Sequence, residues 1–122
     1  MQFEIKNYDQ TLRFEGEVLG HATTHEEGRD RWHEISIYKT AIGEYVVHKV
    51  GRSEVKGEVD RNTAFVSDNP NGAIDCLYTR NRGGVKFLTI AAEEAINEAA
   101  KLDPLLRKAY LHRDLTPRSN AS

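Results

Sequence analysis

The 122-residue chain has a single cysteine, no long apolar run and no large excess of either charge. With no second thiol, Cys76 cannot close an intramolecular disulfide, which sets aside the disulfide-stapled secreted scaffolds. Apolar stretches fall far short of the roughly 20 residues that a membrane-spanning helix needs. Seventeen basic side chains nearly balance nineteen acidic ones, so no net field draws the molecule to nucleic acid or to an anionic membrane. Nucleophile elbows, Walker-type loops and paired CxxC motifs are all missing. The opening MQFEIKNYDQ lacks the basic, apolar and small-residue succession of a secretory leader. These absences predict a soluble cytoplasmic protein with no membrane partner, and they assign no catalytic residue, metal or cofactor.

A chain this long can bury roughly two-thirds of its unfolded surface, enough for one core. With no repeat and no linker, residues 1–115 read as a single domain, and the small, polar residues 116–122 as a flexible tail.

The first half has strand periodicity. Leu12, Phe14, Gly16, Val18 and Gly20 alternate with Thr11, Arg13, Glu15 and Glu17, and Leu19 is the one misfit. Together with QFEIKN and the turn NYDQ, this predicts an opening hairpin. WHEISIYKTAIGEYVVHKVG predicts a second hairpin around TAIG, whose Gly43 tolerates a positive φ. A four-residue loop would set Lys39 against Glu44, Tyr38 against Tyr45, Ile37 against Val46 and Ile35 against His48. It would also oppose Glu34 to Lys49, place Ile35, Ile37, Val46 and Val50 on the core, and leave Trp32, Tyr38, Tyr45 and Val47 on an outer face. After an exposed crossing, TAFVSD adds a short fifth strand.

The second half has helix signals. Asn69 or Asp68 can cap a helix with Pro70 in its first turn and Ile74, Leu77 and Tyr78 on its buried stripe. Residues 85–102 predict the longest helix, with Leu88, Ala92, Ala95, Ala99 and Leu102 along one side and five alanines that admit a close neighbour. Asp103 and Pro104 restart the chain as a short third helix. The predicted fold is therefore α+β: an antiparallel meander of four or five strands followed by two or three C-terminal helices packed on one face.

Five features are candidates for chemistry or binding. His21 and His25 have helical i, i+4 spacing, and Glu26 or His33 would complete a zinc site, but Thr23, Thr24 and Gly28 disfavour a helix and the simpler reading is a solvated connection. His33 and His48, as diagonal neighbours across the second hairpin, form a candidate acid/base pair; histidines at the rim of the core explain them as well. Cys76, inside a helix, reads as a small buried hydrophobe. Arg80, Arg82 and Lys86 surround two glycines before a helix and form a candidate anion site. Finally, Trp32, Tyr38 and Tyr45, with Lys49 beside them, combine residue types that dominate protein-binding surfaces. The functional expectation is a non-enzymatic binding or regulatory protein, an accessory or inhibitor of a larger assembly, acting through the outer face of the 32–50 hairpin on a protein partner or a second copy. One alternative is nucleic-acid binding by Arg80, Arg82 and Lys86 with stacking tyrosines. Another is a metal-dependent or acid/base enzyme built on His21, His25, His33 and His48.

Overall fold

The computed structural model describes residues 1–114; the predicted tail, 116–122, lies outside them. Five strands come first: β1 (Gln2–Asn7), β2 (Gln10–Thr23), β3 (Arg31–Thr40), β4 (Tyr45–Ser53) and β5 (Arg61–Ser67). They pair antiparallel in chain order as one sheet. Helix α1 (Pro70–Leu77), a ribbon of β6 (Thr79–Arg80) and β7 (Lys86–Phe87), then α2 (Ile90–Leu102) and α3 (Pro104–Asp114) follow. The predicted α+β meander is thus realised with five strands and three helices.

The sheet curls strongly. Its β1–β2 turn reaches β5, where Tyr8 N–H donates to the Asn62 carbonyl at 2.7 Å and Ala64 N–H donates to Asn7 Oδ1 at 3.2 Å. The curl encloses one apolar cluster of Ile5, Tyr38, Val46 and Ala64 with Phe3, Leu12 and Phe14. The opposite, helix-covered face carries a larger one built on Leu19, Ile35, Ile37, Tyr45 and Val47.

Leu19, the misfit in the β2 alternation, is a bulge. Val18 pairs with Tyr38 and Gly20 with Ile37, which leaves Leu19 as an extra residue. The extra residue inverts the strand: Leu12 and Phe14 point into the curl, whereas Leu19 and Ala22 belong to the helix-side core. Gly20 therefore does not share a face with Leu12, Phe14 and Val18 as predicted. It lies under α2, where a Cβ would stand 2.2 Å from the Ala95 carbonyl oxygen and 3.0 Å from Ala99 N. Close approach to an alanine surface is realised, with Gly20 as the neighbour.

The predicted β3–β4 register is corrected by one residue. Lys39 pairs with Tyr45, Ile37 with Val47, Ile35 with Lys49, Ser36 with His48 and Glu34 with Val50. The reason lies in the loop: Gly43 N–H donates to the Thr40 carbonyl at 2.9 Å, Thr40 N–H to the Glu44 carbonyl at 2.8 Å, and Gly43 has φ of +87°. A tight turn followed by a left-handed glycine adds one residue to the loop and moves every β4 side chain to the other face. Tyr45 and Val47 consequently face the helices, and Val46, His48 and Val50 face the curl. The predicted outer aromatic face is not formed, because Tyr45 is 2 % exposed in one cluster and Tyr38 8 % exposed in the other.

In the helical layer, the Asn69 carboxamide caps α1 by accepting from Gly72 N–H at 2.7 Å, and Ala73, Ile74 and Leu77 are buried. The predicted helix over 85–102 begins only at Ile90, where the Thr89 hydroxyl accepts from Ala92 N–H at 3.2 Å. Residues 79–87 instead form the ribbon, whose turn is held by Asn81 Oδ1 accepting from Gly83 and Val85 N–H, with Gly84 at φ of +78°. Leu88 therefore precedes the helix, and Leu102 is exposed. Six residues of α2 are buried, all of them alanine except Ile96.

Asp103 joins the layers. Almost fully buried, its Oδ2 accepts from Lys39 Nζ and Tyr45 O–H at 2.9 Å each, while Oδ1 caps α3 by accepting from Leu106 N–H at 3.0 Å. Burial pushes its carboxyl up, but the Lys39, Leu106 and Tyr45 bonds outweigh that and hold it below the usual range. Asp103→Asn keeps the cap and loses the charge, and is expected to cost about 2 kcal/mol in urea unfolding. Because the folded pKa is depressed, this contribution is full above about pH 4 and is lost as pH falls through the folded value. The gap between wild type and variant should therefore close in acid; a constant gap would refute the ionised link. Gly20→Ala must displace α2 and is expected to lower stability by about 1 to 3 kcal/mol by the same measurement.

Candidate functional site

Inside the curl, next to the aromatic packing of Phe3, Phe14 and Tyr38, lies an open cavity of about 530 Å³ to which all five strands contribute. Its centre is a row across three strands, His21 on β2, Ser36 on β3 and His48 on β4, set side by side by the observed register. The Leu19 bulge puts His21 in this row; the glycine turn puts His48 there.

His21 Nδ1 lies 2.7 Å from Ser36 Oγ, and the serine is 9 % exposed. His48 Nε2 lies 3.0 Å from Asn62 Oδ1, so its N–H donates to the carboxamide oxygen. Burial pushes the His48 pKa down, with the Arg52 charge acting in the same direction against the Asn62 bond and Glu34. The ring is therefore uncharged at neutral pH. Further along, Glu34 Oε2 accepts from Trp32 Nε1–H at 3.0 Å, and its Oε1 pairs with Arg52 at 3.2 Å. Burial raises the Glu34 carboxyl, yet the Trp32 and Arg52 bonds leave it below its ordinary value.

This arrangement corrects the predicted histidine constellation. His33 pairs with Gly51 on the helix side of the sheet, so it is not a same-face neighbour of His48. His25 packs on Trp32 with ring centroids 4.1 Å apart. His21, His25, His33 and His48 are thus not gathered at one point, and among the described residues no three His, Cys, Asp or Glu side chains converge as metal ligands.

The other predicted residues are dispersed. Trp32 is half-buried on the cavity side, Tyr38 sits in the cavity wall, Tyr45 is sealed under the helices, and Lys49 is half-buried on the helix side. Arg80, Arg82 and Lys86 are exposed on the ribbon, with Arg80 directly opposite Lys86 and donating to the Gly84 carbonyl at 2.9 Å. The expected helix N-terminus beside them is absent because α2 starts later. Cys76 is half-buried, and burial raises its thiol pKa, which makes it a weak nucleophile.

Ser36 and Asn62 were not singled out by the sequence. The only local sign of the row is the broken alternation at Leu19, which signals that the following residues change face. Chemically, Ser36 and His21 resemble a nucleophile and base, but a working pair needs the base oriented by a third group. Among the described residues His21 makes no second hydrogen bond through its ring. Comparison with protein-family models, with curated proteins and with solved structures returns no match.

His48 gives a direct check on this geometry. Its ring should titrate below the ordinary value of about 6.5 when followed by NMR. With the folded pKa lowered, stability is full above about pH 6.5 and declines as the pH falls toward the folded value. His48→Gln should remove that decline; a His48 titrating at or above 6.5 would contradict the burial assigned to it.

Proposed function

We propose that this protein binds a small, uncharged, partly apolar molecule in the mouth of its curled sheet and acts as a binding protein rather than an enzyme. The observation that carries the reading is the cavity shared by all five strands, where His21, Ser36 and His48 present hydrogen-bonding groups beside Ile5, Val18 and Val50. A volume of about 530 Å³ lies within the usual range of small-ligand sites, and Ile5, Val18, Tyr38 and Val50 supply apolar wall among the polar and charged groups. Most of the charges around it are already paired, Glu34 with Arg52 at 3.2 Å and Glu4 with Arg13 at 3.0 Å; the exposed Lys6 donates to the Thr11 hydroxyl at 2.9 Å and has no carboxylate partner among the described residues. A charged ligand would find only the exposed Lys6 ammonium without a carboxylate partner, whereas a hydroxyl or carbonyl group would find imidazole and serine partners in the central row.

The binding-protein reading of the sequence is thereby kept and its surface moved. Docking of a protein partner, or of an inhibited assembly, on the outer face of the 32–50 hairpin needs exposed aromatic anchors, and the two tyrosines are buried. Nucleic-acid binding through Arg80, Arg82 and Lys86 loses its stacking tyrosines for the same reason.

The test is titration of ¹⁵N-labelled protein with small neutral cyclic alcohols and ketones. Amide shifts should cluster at residues 21, 36, 48 and 62, and the double variant His21→Phe, His48→Phe should weaken binding at least tenfold. Shifts confined to the helices, or equal binding by the double variant, would overturn the proposal.

A further inference from the structure

A second cavity, of about 430 Å³, lies on the opposite side of the sheet, between β3–β5 and the β6–β7 ribbon. Its polar lining differs in kind from that of the first. Lys49, Arg61 and His33 meet there with the hydroxyls of Thr63, Thr79 and Thr89, and Ile35 and Phe87 supply apolar wall. The register explains the grouping: Lys49 stands between Ile35 and Thr63 in one row, and Gly51 between His33 and Arg61 in the next.

Lys49 is the anomaly. Its ammonium is half-buried, yet among the described residues neither it nor Arg61 forms an ion pair. The ammonium has the Tyr78 carbonyl at 3.4 Å, beyond the usual range of such bonds, and the Phe65 ring at 5.7 Å. Burying a charge with so little compensation is costly, and burial does lower the Lys49 pKa. Glu34, the one carboxylate residue bordering this cavity, has its carboxyl engaged by Trp32 and Arg52. The Thr89 hydroxyl accepts from Ala92 N–H, which leaves its own proton free to donate.

We infer that this second cavity binds a small molecule bearing an oxyanion, a carboxylate or a phosphate ester, with the anion between Lys49 and Arg61 and the apolar body against Phe87. Lys49 and the exposed Arg61, whose charge also acts on Glu58, neutralise the anion while the hydroxyls donate to it, and the anion supplies the counterion that Lys49 lacks. Arg80, Arg82 and Lys86 on the same ribbon do not line the cavity but add a positive field near it. The site is independent of the uncharged-ligand cleft, and the failure of either leaves the other standing.

The experiment is calorimetric and NMR titration of the full chain with benzoate, phenyl phosphate and, as neutral control, benzyl alcohol. At least one anion should bind, with amide shifts near residues 49, 63, 79 and 87, and the control should not produce them. Benzoate alone identifies a carboxylate ligand, phenyl phosphate alone a phosphate ester, and both a general oxyanion site. Lys49→Met should weaken the anion at least tenfold, about 1.4 kcal/mol, and Lys49→Arg should retain it. In the wild type, the bound anion should raise the Lys49 pKa, read from its Cε resonance. Lys49→Met removes a poorly compensated charge and should melt no lower than wild type; if it does not fold, Arg61→Gln provides the same tenfold comparison. Absence of binding by both anions, or binding unchanged in the folded variant, would overturn the inference.

Discussion

The inserted residue at Leu19 turns β2 over partway along its length, and both sides of the sheet depend on that inversion. Before it, β2 sends Leu12 and Phe14 into the curl; after it, the same strand sends Leu19 and Ala22 to the helices and His21 to the cavity. A bulge also increases local twist and bends the strand, which suits a sheet whose first hairpin comes round to meet its fifth strand. Gly20 follows the bulge and has no side chain to hold α2 away, so the helix settles on the strand at Ala95 and Ala99. From there α2 ends at Asp103, which ties the start of α3 to Lys39 and Tyr45 on the sheet.

The two faces then acquire different electrostatic characters. Around the concave cavity the carboxylates and guanidinium groups are matched, and the groups left over are imidazole, hydroxyl, carboxamide and the exposed Lys6 ammonium. On the helix side, the cation at Lys49 stands without a carboxylate, close to Arg61. The difference follows from one register step between β3 and β4. In the predicted pairing Lys49 would have opposed Glu34 on a shared face, whereas in the observed pairing Glu34 stays with Arg52 and Lys49 is carried to the other side.

Much of the architecture was legible in the chain. Alternation in residues 11–18, the β-rich runs on either side of Gly43, the Asn69 cap with Pro70, and the Asp103–Pro104 restart each express a local preference that survives in the structure. The alanines of α2 announced a close neighbour, although not that Gly20 would be it. The candidate site was far less legible. Ser36 and Asn62 carry no motif, and their value arises only from standing beside His21 and His48. The stretch 79–89 misled because its glycines suit a helix stop as well as a ribbon turn, and Asn81, bonding to Gly83 and Val85, decides for the ribbon.

The sequence by itself therefore determined the order and kind of the main elements, because periodicity, capping and turn chemistry act over a few neighbouring residues. Tertiary structure alone decided which side chains share a face and which charges find partners. A strand's side chains alternate with period two, so one extra residue at Leu19 or one left-handed glycine at position 43 exchanges the faces of everything beyond it. Local preferences are nearly indifferent to such a step, and the energy that selects it comes from packing against distant residues such as Ala95, Asp103 and Phe3.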